Sequence, residues 1–489
     1  MLVLRSLLLL TSVVAAALPS LALNASCHNV VFQGRSGMPL FSAFHHAKMA
    51  FHTEHDVCFV EQIDDERRTT HVLFYPKHDD HSAKSCLLPG LPSADTFPGP
   101  PSATLLVAFI NERANTLRLP NGQLSPIAPV IRMLEANLYR VTSSSPTTCR
   151  RIDAADITDE IFRDHVLRNE PLVITRSATA LARDPAWSTE SLLARIGRHQ
   201  VHVKVSPNSD FEGCEPLAWW QPATSDGAAS AIPEYVAKHL ESPDKVLVRP
   251  AGLNMPFAAF VARLRASAAT ATSYYLEYLS MAAYVPELVA DAPTFSWVES
   301  FLTREIANLW FGDGKSVGKL HFDPHENVLT MVAGAKTFVL MDPSDNTRLY
   351  EGHIREAQYD VDGEMGHETF HRRKLMESTS MVNSPVDVAA PDLERYPRFA
   401  HAQTMTCTVG EGDSIYVPAF WWHEVQSAPA ADELRNVAIN YWYTPVYKKD
   451  FPCKTCRLRF NLAYESVLPL AATAVDVSGL ATPGRRDEL

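Results

Sequence analysis

The chain has 489 residues, of which 46% are hydrophobic and 20% are charged, so it is long enough to fold as more than one domain around a large core. Its 56 acidic residues outnumber its 44 lysines and arginines, and the formal net charge is -12 at pH 7. Because nucleic-acid binding needs a basic surface that neutralises phosphates, this balance argues against a nucleic-acid partner.

The N-terminus has the pattern of a secretory signal peptide. A single basic residue, Arg5, precedes the apolar run Leu7–Ala17, and small residues follow up to Ala22. We predict a signal peptide over residues 1–22 that is cleaved after Ala22. An uncleaved membrane anchor is the alternative, but Pro19 and the short apolar run favour cleavage. No later segment is long and apolar enough to predict a stable membrane span.

The last four residues, Arg486–Leu489, read RDEL. This ending is similar to the KDEL and HDEL signals that a retrieval receptor recognises in the secretory pathway. A four-residue ending is weak evidence by itself, but a signal peptide at the other end strengthens it. Together the two ends predict a protein of the endoplasmic reticulum lumen that binds the retrieval receptor through RDEL.

Eight cysteines fit an oxidising compartment, where most of them should pair. Four bracket the N-terminal region, and we expect two disulfides among them with the connectivity left open: Cys27, Cys58, Cys86 and Cys149. Cys453 and Cys456 form a CxxC pair near the other end. One pair cannot complete a tetrahedral zinc site, and no strand-to-helix turn surrounds it. We therefore predict a structural disulfide, with a redox role as the alternative.

Residues 23–150 are predicted to form a small N-terminal module, to which the sequence assigns no function. Strand-like runs occur at His71–Tyr75 and Thr104–Ile110, and helical spacing covers Ile127–Val141. A serine-rich stretch that ends at Pro146 is predicted to link this module to the next domain.

Residues 151–450 are predicted to form the main domain. It begins with an amphipathic helix over Ile157–Asn169 and a short buried strand over Pro171–Thr175, followed by helices and loops. Short β-like runs separated by turn residues then dominate, which is typical of an antiparallel sandwich or barrel. These runs are Val328–Val332, Thr337–Met341, Thr404–Val409, Ser414–Val417 and Asn436–Trp442.

Residues 451–489 are predicted to be a C-terminal helical segment followed by a tail. Helical spacing is clearest over Leu458–Leu468. Such a helix either pairs two subunits in a homodimer or packs against its own barrel, and the spacing fits both arrangements.

The strongest chemical motif is His321-Phe322-Asp323, followed about a hundred residues later by His423. Residues two apart on a strand point to the same face, so His321 and Asp323 can bind one metal ion. A distant histidine completes a set of two histidines and one carboxylate, which suits Fe(II) and leaves coordination positions open for O2 chemistry. The short motif is not specific by itself, since HxD and HxE pairs occur elsewhere in the chain.

The residues around this motif make it specific. Trp310-Phe311-Gly312 precedes it, and Asn327, Lys336 and Asp342-Pro343 follow at short intervals. Further downstream come Tyr416-Val417-Pro418, Trp421-Trp422-His423 and Asn440-Tyr441-Trp442-Tyr443. In this order the motifs resemble the small JmjC protein hydroxylases, a branch of the cupin superfamily, over roughly residues 155 to 445. The likeness is greatest to the lysyl hydroxylase branch, with the asparaginyl hydroxylases slightly more distant.

The resemblance implies a fold, two cofactors and the residues that hold them. The fold would be mostly β with some α, a double-stranded β-helix or jelly roll flanked by helices, with the disulfide-containing N-terminal module in addition. The catalytic and iron-binding residues would be His321, Asp323 and His423. The residues that contact 2-oxoglutarate would be Lys336, Tyr275, Asn327 and Asn440.

Each cosubstrate residue also has an ordinary structural interpretation. Lys336 starts an apolar strand and could lie exposed at its end, but if it faces the barrel interior it needs an anionic partner. Tyr275 could be a core aromatic. Asn327 could be a turn residue, and Asn440 could be a hydrogen-bonding residue of the barrel interior. Four further aromatic residues are predicted to be core: Trp421, Trp422, Tyr441 and Trp442.

One position departs from the family pattern. Relatives usually have a threonine three residues before the first iron-binding histidine, whereas this chain has Gly318 there, with Ser316 and Lys319 nearby. Loss of one hydrogen bond costs about 1 kcal/mol, which weakens 2-oxoglutarate binding without abolishing it. We therefore predict an active enzyme.

The expected activity is Fe(II)- and 2-oxoglutarate-dependent hydroxylation of a secretory or lumenal protein, with a lysyl side chain favoured over an asparaginyl or arginyl one. Histone demethylation is not expected, because a lumenal address separates the protein from chromatin. Two alternatives stay open: a pseudo-enzyme that binds lumenal clients, for which Gly318 would be the sign of decay, and a metal-dependent peptidase. No HExxH motif supports the peptidase.

Overall fold

A computed structural model gives the fold of the chain. The structure describes residues 28–36, 38–52, 54, 56–63, 70–75, 95–114, 116–139, 146–220, 240–267, 270–363, 367–431 and 433–468. The predicted signal peptide and the RDEL ending lie outside these residues. The chain divides into two compact units, of which the first ends at Ala128 and the second begins at Pro129.

The first unit contains one mixed sheet and two helices. Its strands are β1 (His28–Gly34), β2 (Val57–Ile63), β3 (His71–Tyr75) and β4 (Asp95–Thr96), and its helices are α1 (Pro39–Ala50) and α2 (Ala103–Ala114). The strand order is β2-β1-β3-β4, with β1 parallel to β2 and antiparallel to β3. Phenylalanines form much of its core, among them Phe32 and Phe44, which are fully buried.

The strand predicted over Thr104–Ile110 is wrong, because this segment lies inside α2. Leu106, Val107 and Ile110 are buried at the spacing of one helical face and pack in the core of the first unit. A short, continuous apolar run fits a buried strand and a buried helix equally well, so periodicity could not separate them. The strand predicted at His71–Tyr75 is confirmed as β3.

The second unit contains two large sheets that form the predicted double-stranded β-helix. Its strands are β5 (Arg150–Asp153), β6 (Leu172–Thr175), β7 (Gln200–Ser206), β8 (Asp210–Phe211), β9 (Gly213–Pro216), β10 (Lys245–Arg249), β11 (Ala251–Pro256), β12 (Ser273–Ser280), β13 (Arg304–Gly312), β14 (Val317–Phe322), β15 (Glu326–Ala333), β16 (Ala335–Met341), β17 (Gly352–Asp362), β18 (Thr369–Asn383), β19 (Thr404–Val409), β20 (Ser414–Val417), β21 (Trp422–Ala428), β22 (Asn436–Tyr443), β23 (Tyr447–Lys448) and β24 (Arg459–Phe460).

The larger sheet has the order β11-β7-β12-β13-β22-β15-β20-β6-β5, and the smaller one has the order β19-β16-β21-β14-β8. Apolar residues from both sheets meet between them, for example Leu329 and Ile415 of the larger sheet and Phe338 and Leu340 of the smaller one. A further four-stranded sheet has the order β18-β17-β10-β9. The barrel core therefore lies between the two large sheets, as the run of short apolar strands predicts.

Helices of the second unit are mostly short. They are α3 (Ala128–Asn137), α4 (Asp159–Arg168), α5 (Thr179–Ala182), α6 (Thr189–Ile196), α7 (Phe257–Ala266), α8 (Met281–Tyr284) and α9 (Ser296–Glu299). The hydroxyl oxygen of Thr158 caps α4 by accepting from the backbone N–H of Ile161. Asn169 ends this helix in the left-handed conformation. Among the described residues we find no helix with the length and hydropathy of a membrane span.

The continuous helix predicted over Leu458–Leu468 is wrong. This segment contains β24, which pairs with β23, and a single 3-10 helix over Leu462–Val467. The side chain of Asn461 separates the two by accepting from the backbone N–H of Ala463 and donating to the carbonyl of Pro445. Asparagine competes with the helix for backbone partners in this way, and hydrophobic spacing does not show it. A homodimer stays a prediction.

The observed disulfides agree in part with the pairings predicted from the sequence. Cys453 and Cys456 are bonded as predicted, and Cys58 of the first unit is also in a disulfide. Cys149, however, pairs with Cys407 and not with a cysteine of the N-terminal module. The reason is the sheet topology, because Thr406 of β19 lies beside Thr148 in a parallel bridge. Cys214 is a free thiol.

The Cys149–Cys407 bridge spans 258 residues, so its loss should reduce stability more than loss of the Cys453–Cys456 bridge, which spans 3. A long closed loop restricts the unfolded chain more than a short one. We expect alanine at both ends of the long bridge to lower the free energy of unfolding by about 4 kcal/mol, and the same change in the short bridge by about 2 kcal/mol. Urea unfolding of both double variants measures this, and equal losses would contradict the loop-length argument.

Candidate active site

Strand alternation places a group of polar side chains inside the barrel. On β16, Lys336 has the same parity as the core residues Phe338 and Leu340, so all three point inward. The same holds for His423 on β21, which shares a face with the core-packed Val425. Each strand therefore contributes apolar residues to the core and a polar residue to one shared cavity.

That cavity has a volume of about 250 Å³ and opens to solvent on one side. It is lined by the seven residues that the sequence predicts for the site and by further polar and aromatic residues. The predicted seven are Tyr275, His321, Asp323, Asn327, Lys336, His423 and Asn440. The structure thus brings together residues from β12, β14, β15, β16, β21 and β22, although they are separated by up to 165 positions in the chain.

Three of these side chains are arranged as a metal site. His321 and His423 are directly opposite each other in the β14–β21 pairing, and Asp323 follows the end of β14. One potential ligand atom from each residue lies within 4.8 Å of the others, and the closest approach of His423 Nε2 to Asp323 Oδ2 is 3.7 Å. The three ligand atoms are close enough together to bind one metal ion.

Backbone hydrogen bonds orient both histidines. His321 Nδ1 lies 2.6 Å from the carbonyl oxygen of Lys319, and His423 Nδ1 lies 2.9 Å from that of Trp421. A carbonyl can only accept, so Nδ1 carries the proton on each ring and Nε2 keeps a lone pair for a metal. Burial and the neighbouring His321 lower the pKa of His423, which keeps its ring neutral. The donor set of two neutral imidazoles and one carboxylate fits Fe(II).

Lys336 is buried, with 2% of its surface exposed, and within the described part of the chain its hydrogen bonds go to neutral groups. Its ammonium donates to the hydroxyl oxygen of Tyr275 at 3.1 Å and to that of Ser427 at 2.8 Å. Burial without a carboxylate in contact lowers the pKa of Lys336 to about 7, and the more distant Glu277 opposes this effect. An anion in the cavity would supply the missing charge, and a dicarboxylate such as 2-oxoglutarate could do so.

The two asparagines form part of a hydrogen-bond chain. Asn440 donates from Nδ2 to Oδ1 of Asn327 at 3.0 Å, and its own Oδ1 accepts from the indole of Trp310 at 2.8 Å and from Asn308 at 3.2 Å. Both asparagines are buried. Their side chains are fixed by neighbours and line the cavity, as the structural interpretation requires, and contact with 2-oxoglutarate stays a prediction.

Gly318 also lines the cavity, where the family pattern has a threonine. A Cβ atom placed there would have the carbonyl oxygen of Val425 as its nearest neighbour, at 3.9 Å, so crowding does not explain the glycine. Two other hydroxyls are close by, since Ser316 Oγ and Ser427 Oγ are 3.0 Å apart and both residues line the cavity. Neither serine was predicted as a site residue, and no sequence motif includes Ser427.

The aromatic residues follow the prediction with one exception. Trp421, Trp422 and Tyr441 are buried in the core. Trp442, predicted to be core, instead lines the cavity and stacks on His325 with ring centroids 5.2 Å apart. Three charged residues at the cavity were missed by the sequence analysis: Glu212, Arg249 and Glu277.

A double-stranded β-helix that brings two histidines, an aspartate and a buried lysine into one cavity defines the class of 2-oxoglutarate-dependent dioxygenases. The sequence profile of the family described as "Cupin-like domain" matches residues 158–449, which is more than half of the chain. The protein therefore belongs to the cupin-like family, and within it to the JmjC oxygenases, nearest to the small hydroxylases.

Several curated proteins are similar over most of their own length. The human bifunctional peptidase and (3S)-lysyl hydroxylase JMJD7 is 26% identical over 288 residues, which cover 58% of this chain and 81% of the relative. The JmjC domain-containing protein E of Dictyostelium discoideum is 24% identical, over 59% of this chain and 82% of the relative. The lysine-specific demethylase JMJ32 of Arabidopsis thaliana is 28% identical, over 63% and 85%.

Proposed function

We propose that this protein is an Fe(II)- and 2-oxoglutarate-dependent protein hydroxylase that acts on lysyl side chains of secretory or lumenal proteins. One observation carries the proposal: the His321–Asp323–His423 group and the buried Lys336 line the same cavity. A metal site alone would fit many activities. In the same cavity, a buried lysine whose hydrogen-bond partners among the described residues are neutral calls for a small acidic cosubstrate as well.

The residues of the chain have separate tasks in this proposal. His321, Asp323 and His423 would hold Fe(II), which together with 2-oxoglutarate and O2 supplies the oxidation of a C–H bond. Lys336 and Tyr275 would bind the distal carboxylate of 2-oxoglutarate, with Tyr275 kept protonated because burial raises its pKa well above 10. The hydrogen bonds of His321 and His423 to backbone carbonyls hold both rings in place, so the site needs little rearrangement to bind a metal.

The lysyl assignment rests on the human relative, whose name includes (3S)-lysyl hydroxylase, at 26% identity. Asparaginyl and arginyl side chains are the alternatives. Peptidase activity is also part of that relative's name, and it would show as peptide cleavage that does not require 2-oxoglutarate.

The lumenal address rests on the signal-peptide pattern and on RDEL, which would bind the retrieval receptor. The disulfides Cys149–Cys407 and Cys453–Cys456 support it, because such bonds persist in oxidising compartments.

Mass spectrometry of lumenal proteins tests the proposed function. Cells that lack the endogenous protein would express either the intact chain or His321→Ala, and peptides would be searched for a gain of one oxygen. We expect hydroxylated lysines that appear only with the intact chain. An unchanged set of peptides at matched coverage would contradict the proposal and favour the client-binding pseudo-enzyme.

The glycine at position 318 gives a prediction about cosubstrate affinity. A Cβ atom has room there, and a threonine would add one hydroxyl to the cavity. One additional hydrogen bond contributes about 1 kcal/mol, so Gly318→Thr should lower the dissociation constant for 2-oxoglutarate about fivefold. Titration calorimetry with Mn(II) in the metal site measures this, with Gly318→Val as the control of similar shape without the hydroxyl. If Gly318→Val lowers the dissociation constant for 2-oxoglutarate by the same factor, the hydroxyl is not responsible.

A further inference from the structure

Glu277 is a cavity-lining acid that the proposed metal and cosubstrate sites do not use. Its carboxylate oxygen Oε2 is buried and has no hydrogen-bond partner among the residues that the structure describes. A buried carboxylate oxygen without a partner costs free energy, so its presence in an open cavity points to a ligand that supplies the missing donor.

The backbone around Glu277 is irregular in a way that directs its side chain. Leu276 pairs with Phe311 and Leu279 pairs with Leu309, so two residues of β12, Glu277 and Tyr278, oppose a single residue of β13. This is a β-bulge, which changes the direction of side chains and is frequent beside active sites. Tyr278 has a φ of 39°, in the left-handed region that non-glycine residues rarely adopt.

A second acid reaches the same cavity from another segment. Glu212 follows β8 and also has a left-handed backbone, with a φ of 60°. Its carboxylate receives a hydrogen bond from Arg249 at 3.2 Å. Arg249 also donates to Glu356 at 2.5 Å, so its charge is divided between two carboxylates and offsets that of Glu277 only in part.

Glu277 is hard to ionise in the empty cavity. Burial and the nearby Glu212 raise the pKa of Glu277 to about 8, while Lys204 and Arg249 oppose the rise. Lys336 also lies within electrostatic range, but in the proposed function it neutralises 2-oxoglutarate. A cationic group bound beside Glu277 would favour the ionised carboxylate, so the two charges would stabilise each other.

We infer that Glu277, supported by Glu212, forms a subsite for the cationic end of the acceptor side chain, the ammonium of a lysyl or the guanidinium of an arginyl residue. The inference rests on the proposed function and narrows its substrate class, because it disfavours asparaginyl and other neutral acceptors. Tyr278, which is 39% exposed beside Trp310, offers an aromatic surface for the aliphatic stem of such a side chain.

Binding of peptide pools tests this subsite without knowledge of the natural substrate. The full chain would be loaded with Mn(II) and 2-oxoglutarate, so that no turnover occurs, and incubated with pools that share random flanks and differ in one central residue. The central residues are lysine, arginine, norleucine and asparagine. We expect the lysine or arginine pool to bind about tenfold or more tightly than the norleucine and asparagine pools.

Two variants distinguish binding at this subsite from nonspecific electrostatic attraction of cationic peptides to this acidic protein. Glu277→Gln keeps the size of the side chain and should reduce the preference to about twofold or less. Glu190→Gln removes an equal charge at a side chain that is 77% exposed and does not line the cavity, and it should leave the preference unchanged.

Mn(II) and 2-oxoglutarate binding, measured on each preparation, separates the two proposals. Normal loading without a cationic preference, or a preference that Glu277→Gln retains, overturns the subsite alone. Failure of the wild-type protein to bind 2-oxoglutarate overturns the proposed function and the subsite together.

Discussion

His321→Ala should lower the affinity for a divalent metal at least about 100-fold and abolish succinate formation from 2-oxoglutarate. The mutation removes one of three ligands, and even partners that only orient a ligand contribute 10- to 100-fold to metal affinity. His423 and Asp323 remain, but two protein ligands at the edge of an open cavity hold a labile metal weakly. Anaerobic titration with Fe(II) and a succinate assay measure the two effects.

His401→Ala is the matched control, since it removes an imidazole that is exposed and outside the cavity. It should bind metal and form succinate like the wild type. Equal metal affinity in the wild type and His321→Ala would mean that the three side chains do not share an ion, and the oxygenase mechanism would then lose its basis. Far-ultraviolet circular dichroism of both variants would exclude unfolding as the cause of a loss.

The barrel strands could be predicted because the local sequence of each one has a pattern typical of a β-strand. Runs such as Thr337–Met341 and Ser414–Val417 are short, apolar and bounded by turn residues, and the structure has them as β16 and β20. Strand periodicity agrees with a site residue that the family resemblance implied, because the parity that places Phe338 in the core places Lys336 in the cavity. Where local pattern and tertiary environment agree, the sequence is sufficient.

The missed residues depend on features that have no sequence pattern. Glu277 lines the cavity beside a β-bulge, and a bulge shifts the alternation on which an inward or outward assignment rests. Glu212, between β8 and β9, and Arg249, at the end of β10, reach the cavity from segments that precede the barrel motifs. Likewise, Cys149 meets Cys407 because β-strands distant in sequence become neighbours, and the spacing of cysteines contains no information about that.

Lys336→Met should weaken 2-oxoglutarate binding about 100-fold, because it removes the buried charge that we assign to the distal carboxylate and leaves that carboxylate without its strongest donor. Metal binding should be unchanged, since Lys336 is not one of the three ligands. Titration calorimetry with Mn(II) already bound measures the cosubstrate alone. An affinity within about threefold of the wild type would show that the anion binds elsewhere.

The same lysine should make cosubstrate binding depend on pH. Its pKa in the free protein is lowered to about 7 by burial, whereas a bound dianion favours the charged form and raises it. Below pH 7 the ammonium is already present and the affinity should be constant. Above pH 7 binding must take up a proton, so the dissociation constant should rise roughly tenfold per pH unit until the pKa of the bound state is reached. Glu277 raises the pKa of Lys336, so Glu277→Gln should retain the rise in the dissociation constant if the lysine is responsible.

Lys336→Arg keeps its charge throughout and should bind with nearly constant affinity between pH 6 and 9, because a guanidinium does not titrate in that range. A flat profile for the wild type would show that Lys336 stays charged in the empty cavity, and a partner other than the cosubstrate would then have to neutralise it.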